Sequence, residues 1–200
     1  MPSKEDNMNY RVEKDSLGER KVPENAYYGV QTVRAMENFQ VTGISISHYP
    51  LHIRALACIK QAAALANLDL GLLDADIADA ILGACRDVRE GKLNDHFVVD
   101  VIQGGAGTSV NMNANEVIAN RALELMGRVK GEYGFCHPNN HVNLSQSTND
   151  VYPTSLRITA VWKIQEVVGA MEELVAALAC KGDEFADVLK MGRTQLQDAV

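Results

Sequence analysis

Apolar residues at Val161, Ile164, Val168, Met171, Val175 and Leu178 recur every three or four positions, the spacing that lays one stripe along a helix and forms the seam of a bundle. A helix from Thr154, just after Pro153, to Lys181 has 28 residues and a length of roughly 42 Å at about 1.5 Å per residue. A helix that long needs other helices beside it. Upstream, Ile53, Leu56, Ile59 and Ala63 share one face of a helix beginning near Pro50. Ile77, Ile81, Ala84 and Val88 share a face of a second helix that follows Asp74 and stops at Gly91, and the two fit an antiparallel pair. A further helix turns Ile118, Ala122 and Leu125 inward and ends at Gly127. Tyr10, Val12 and Val22 flank a turn signal at Asp15, Ser16, Leu17 and Gly18, which predicts a small hairpin after a loose leader of residues 1 to 9. Two stretches stay open: Ala26 to Asn38 reads as a helix or as a loop packed on the core, and Phe97 to Ile102 as a brief strand or a buried connector. The pattern predicts a mainly α fold.

Composition narrows what that fold serves. With 200 residues and 46% hydrophobic content the chain can bury a proper core. Nineteen basic against 26 acidic residues give a net charge of -7 with no basic cluster. That argues against a nucleic-acid surface and against binding to an anionic membrane. No uninterrupted apolar run is long enough to span a bilayer, and the N-terminus carries no apolar signal region. Cys58, Cys85, Cys136 and Cys180 lie far apart without a Cys-x-x-Cys pair, and read as reduced core thiols of a cytosolic protein.

Candidate chemistry gathers in polar runs placed before helices. Asn143 to Asp150 reads Asn-Leu-Ser-Gln-Ser-Thr-Asn-Asp, directly upstream of the long helix. Free N–H groups and positive dipole potential collect at a helix start, so hydroxyls there form a receptor for a carboxylate or phosphate. Ser, Thr, Asn and Asp are also ordinary caps; so many in one run point beyond capping. Gln103 to Ser109, Gln-Gly-Gly-Ala-Gly-Thr-Ser, is a glycine-rich loop running into another helix. It lacks the Gly-Lys-Ser/Thr of a phosphate loop and the third glycine of a dinucleotide fingerprint; it is either a tight turn capped by Thr108 or Ser109, or a close approach to a small ligand. Asn111, Asn113 and Asn115 in five residues of a helix imply a buried polar network. His137 and His141 have zinc-ligand spacing, but Pro138, Asn139 and Asn140 between them indicate a loop, so no metal site is expected.

Three blocks carry a resemblance: Gln103 to Asn113, His137 to Asp150 (His-Pro-Asn-Asn-His-Val-Asn-Leu-Ser-Gln-Ser-Thr-Asn-Asp) and Gly192 to Ala199 (Gly-Arg-Thr-Gln-Leu-Gln-Asp-Ala). In order and context they resemble successive blocks of the aspartase and class II fumarase superfamily. Arg11 to Asp15 and Ala26 to Thr32 fit the same family, so the resemblance covers nearly the whole chain. Details favour its ammonia-lyase branch: Ala106 and Thr148 stand where fumarases usually have serines, Gln195 where they have a histidine, and Lys130, Gly131, Glu132 and His141 are similar to aspartases.

The resemblance implies an L-aspartase-like fold, with an N-terminal helical domain over residues 1–142 followed by the start of a long-helix bundle domain over 143–200. It also implies a homotetramer whose active sites are shared between chains, a small dicarboxylate substrate, no organic cofactor, and reversible elimination of ammonia from L-aspartate to give fumarate. By the same resemblance Thr108, Ser147 and Thr148 hold the β-carboxylate, Asn149 with Thr108 meets the amino group, Thr194 grips the α-carboxylate and Gln195 adds an amide contact. The family's catalytic serine belongs to a Gly-Ser-Ser-x-Met-Pro-x-Lys-x-Asn motif that does not occur in these residues, so the expectation is an N-terminal portion without useful activity alone. A fumarase-type hydratase and a non-catalytic helical oligomerisation module are the competing readings.

Overall fold

The structure, a computed structural model, describes residues 9–193 and 195–197. At the hairpin Gly18 takes φ +111° and Asp15 Oδ1 accepts the Leu17 N–H at 2.9 Å, an Asx turn that closes a two-residue loop. Strands β1 (Tyr10–Asp15) and β2 (Gly18–Pro23) therefore pair antiparallel, Tyr10 opposite Pro23, as the turn signal predicts. Arg34 holds the same Asp15 through Nε and Nη2, both at 2.8 Å, and that guanidinium keeps the carboxyl below its usual range.

Helix α1 covers Val30–Asn38, so Tyr27, Tyr28 and Gly29 stay outside it. Carbonyls that would have entered a helix instead accept from Arg11: Ala26 O at 2.8 Å and Tyr28 O at 2.7 Å. The start of α1 is capped by carboxylates from elsewhere. Glu116 accepts the N–H groups of Gly29, Gln31 and Thr32 at 2.8, 2.8 and 3.0 Å, and Glu13 accepts that of Val30 at 2.9 Å.

Helices α2 (Pro50–Asp69) and α3 (Ala75–Arg89) form the expected antiparallel pair, with Pro50 in the first turn, where its missing N–H costs nothing. Ile53, Leu56 and Ala57 of α2 meet Ala78, Ile81, Ala84 and Val88 of α3 in one core. Phe97 to Ile102 is a connector: an isolated bridge joins Asp100 to Ser45, and Phe97 O accepts the Ser47 N–H at 2.9 Å. Helix α4 (Thr108–Leu125) packs against α3 and α1 and is buried on nearly every side, including Asn111, Asn113, Asn115, Glu116 and Asn120. The asparagine triplet is thus interior, as its composition predicts. Leu125 is not: it lies half-exposed at the end of α4, its Cδ1 over the bare surface of Gly83 on α3.

Three other expectations need correction. Pro138–Val142 is a single π-helical turn, not a loop, because His137 Nδ1 accepts the N–H groups of Asn139 and Asn140 at its start. The last helix, α5 (Thr148–Glu184), begins six residues before Thr154 and has 37 residues. Ser147 caps it, its Oγ accepting the Asn149 N–H at 3.2 Å, and Pro153 near the start removes only one backbone bond from the helix. Cys58, Cys85 and Cys136 are half-buried or buried free thiols, and burial pushes Cys85 and Cys136 up to about 12; Cys180 is free and exposed, not a core residue.

The chain divides into two compact units, residues 1–159 and 160–200. Everything from the hairpin to the first turns of α5 belongs to the first. In the second, Val161, Ile164, Val168, Met171, Val175 and Leu178 are all exposed, and ion pairs link Lys163 to Glu166 and Lys181 to Glu184. No helix of the described residues is long and apolar enough to cross a membrane.

Candidate active site

The glycine-rich loop is built from its anchors. Asp100 accepts the N–H groups of Val41, Thr42, Gly43 and Ile102 at 3.1, 2.8, 3.0 and 2.8 Å. These bonds, that from Ile102 foremost, hold its carboxyl at about 2 against the effect of burial. Three residues on, Gln103 Oε1 accepts the Val110 N–H at 2.9 Å and so caps the first turn of α4. The loop closes at Gly107, with φ +87°, where a Cβ would fall 2.1 Å from Tyr152 Cγ. Only glycine lets the start of α4 approach the start of α5 this closely.

The start of α5 is held on three posts. Asn111 Nδ2, one turn into α4, donates to Thr148 Oγ1 at 3.0 Å. His52 of α2 donates from Nε2 to Ser155 Oγ at 2.9 Å, since Ser155 gives its own proton to Tyr152 O at 2.6 Å; burial lowers the His52 pKa, so the ring is neutral with its proton on Nε2. The third post is Lys60, fully buried in α2, whose Nζ donates to Asn143 Oδ1 at 2.8 Å and to Gln146 Oε1 at 3.0 Å. Burial pulls this ammonium down to about 7. Asn67 fixes the same run by donating to Leu144 O at 3.0 Å.

Of the sequence-predicted residues, the structure brings four into one region of the first unit. Thr108 opens α4, and Ser147, Thr148 and Asn149 open α5, the two helix starts being joined by the Gly107–Tyr152 contact and the Asn111–Thr148 bond. Thr108, Ser147 and Asn149 are exposed and Thr148 is half-buried. Gln195 is exposed in the second unit, and Thr194 lies outside the described residues. His137 and His141 both accept N–H bonds at Nδ1, from Asn139 and Asn140 and from His137's own N–H respectively. Among the described residues no three His, Cys, Asp or Glu side chains gather in a metal-holding group.

Sequence reasoning missed Lys60 and the fixing roles of Asn143 and Gln146. A signal was present: Lys60 stands four residues after Leu56 and seven after Ile53, in the middle of an apolar stripe. Chemically, two helix starts bearing hydroxyl and amide side chains lie close together, and the partial positive charge of such helix ends suits an oxyanion better than a cation.

This is a mainly helical architecture in which four of the candidate residues sit at helix starts, and residues 18–200 match the family described as lyase; the chain belongs to that lyase family. Among its relatives is the aspartate ammonia-lyase of Pseudomonas aeruginosa, 57% identical over 95% of this chain and 40% of that protein. A crystal structure of fumarate lyase:delta crystallin from Brucella melitensis superposes with a TM-score of 0.89 at 56% identity, over 96% of this chain and 45% of that one. The class II fumarase of Schistosoma mansoni superposes at 0.87 with 40% identity, over 96% and 40% of the two chains. The chain thus spans about two fifths of the length of the curated relatives it matches.

Proposed function

We propose that the full-length protein carrying this chain is an aspartate ammonia-lyase, which eliminates ammonia from L-aspartate to give fumarate, and reversibly. The observation that carries this reading is the polarity of Thr148: its Oγ1 accepts from Asn111, so its own proton is free to be donated to a ligand. The difficult step is removal of a weakly acidic proton beside a carboxylate, which loads negative charge on that carboxylate as an aci-carboxylate. Fixed donors answer this need, each worth on the order of 3 kcal/mol when aimed at charge that develops in the transition state.

In this reading Thr108, Ser147 and Thr148 bind the β-carboxylate, Asn149 and Thr108 the amino group, Thr194 the α-carboxylate, and Gln195 supplies a neutral contact. The base is a serine from outside residues 1–200, and four subunits combine long helices so that each site draws on several chains. The exposed apolar seam from Val161 to Leu178 supports that assembly. The reading divides the chain into an N-terminal domain over residues 1–142 and the start of a bundle domain, and places the enzyme in the cytoplasm.

A class II fumarase on the same scaffold is the second reading, favoured by the likeness to the Schistosoma mansoni enzyme. Fumarate consumption by the full-length protein, followed with and without ammonium, separates them. The proposal expects consumption to require ammonium; equal consumption in its absence, with malate as product, overturns it.

A further inference from the structure

Lys60 has no place in the reaction as described, yet it is the largest fully buried side chain of the described residues. A lysine in an interior seat without a carboxylate partner is costly, and a plain apolar side chain of similar volume would fill the space better. Its two acceptors are both amide oxygens, Asn143 Oδ1 and Gln146 Oε1. Asn143 Oδ1 also accepts from Asn111 Nδ2 at 3.1 Å and from Asn115 Nδ2 at 3.2 Å, so three donors converge on one oxygen.

That convergence fixes which way each amide faces. As an ammonium Lys60 only donates, and both groups it meets are amide oxygens, so Asn143 presents its oxygen. Asn111 must then present its NH₂ group, because a flipped amide would set its oxygen against Asn143 Oδ1. Of that group's two hydrogens one goes to Asn143 and the other to Thr148 Oγ1. Asn111 Oδ1 is buried without a protein hydrogen-bond partner, as are those of Asn113 and Asn115; the direction of the Asn111 amide rests on its two donated bonds. Thr148 receives a hydrogen bond, and its own O–H is released to donate.

We propose that Lys60 is a positioning residue for the lyase reaction: acting through Asn143 and Asn111, it sets the hydroxyl of Thr148 as a donor toward the substrate carboxylate. The proposal rests on the reading of Thr148 as a substrate contact. It is a statement about hydrogen-bond direction, since Lys60 itself is sealed from the ligand.

A double-mutant cycle on the full-length enzyme tests it, with kcat/KM for L-aspartate measured for Lys60→Met, Thr148→Val and the double variant. If Lys60 works through Thr148, Lys60→Met lowers kcat/KM about tenfold when the threonine is present and less than about twofold when it is valine. Loss by the same factor in both backgrounds is the signature of a general structural role and overturns the proposal while leaving Thr148 in the site. No loss from Thr148→Val alone overturns both the proposal and the assignment of Thr148. Should Lys60→Met not fold, Asn111→Leu enters the same cycle with the same expectation. If neither variant folds, the network is a folding requirement and the proposal falls.

Discussion

The capping of α1 by Glu116 gives a stability prediction whose size follows from the geometry. Replacing Glu116 with alanine removes the acceptor for three backbone N–H groups at 2.8, 2.8 and 3.0 Å, and those of Gly29 and Thr32 lie in buried surroundings. A buried donor left without a partner costs about 1–3 kcal/mol. The Gln31 N–H is only partly buried and recovers some of its loss to water. Loss of a negative charge at the helix start removes a further ~1 kcal/mol. Against these stands the cost of burying the carboxylate, which pushes the Glu116 pKa up to about 7 despite its three bonds. The balance is a loss of about 3–4 kcal/mol for Glu116→Ala, and roughly half that for Glu116→Gln, which keeps one acceptor oxygen. In urea, with a slope of about 2 kcal/mol per molar, the midpoint of Glu116→Ala falls by about 1.5–2 M. A midpoint within about 0.5 M of the parent refutes the capping argument. The pH dependence has a sign as well. A carboxyl raised in the fold favours folding while protonated, and that contribution is lost as pH rises from 4.5 through about 7. Parent stability minus Glu116→Gln stability therefore declines across that window.

Gly107→Ala is expected to destabilise by about 2–4 kcal/mol, combining positive φ with a Cβ that would overlap the Tyr152 ring. Gly127→Ala shares the positive φ but meets nothing within 4 Å, so thermal melting should show only about 1 kcal/mol of loss there; equal losses would mean the close approach of α4 to α5 is not a constraint. Asp100, held at about 2 against an ordinary 3.8, lends stability above pH 4 that disappears as pH falls through 2. Asp100→Asn should be less stable than the parent at neutral pH and should show a shallower loss between pH 4 and 2 in acid titration followed by circular dichroism. An unchanged acid profile would remove Asp100 as the anchor of the glycine-rich loop.

The hairpin and the α2–α3 pair were legible because the signals are local: an Asx turn with glycine, and apolar residues three and four apart. The start of α5 was misplaced because Pro153 reads as a boundary, whereas the cap at Ser147 decides where the helix begins. Leu125 was misread for a similar reason: its spacing matches the inward face, but the glycine it covers is more than forty residues away in sequence. The polar residues of the site were visible as runs, and the resemblance supplied their roles. Their convergence was not visible. Thr148 meets Asn111 across 37 positions, and Lys60 meets Asn143 and Gln146 across 83 and 86. A single lysine within an apolar stripe cannot announce such partners, because the chain fold alone brings them together.

The central claim, that the hydroxyls at the start of α5 stabilise negative charge on a substrate carboxylate, is tested most directly by fumarate absorbance with L-aspartate as substrate. The full-length protein and its Thr148→Ala variant are compared. The account predicts release of fumarate and ammonia by the parent and a loss of roughly a hundredfold or more in turnover for the variant. A parent that ignores aspartate but hydrates fumarate would leave the fold and contradict the proposed activity. A variant that keeps turnover within a few-fold of the parent would contradict the charge-stabilising role itself.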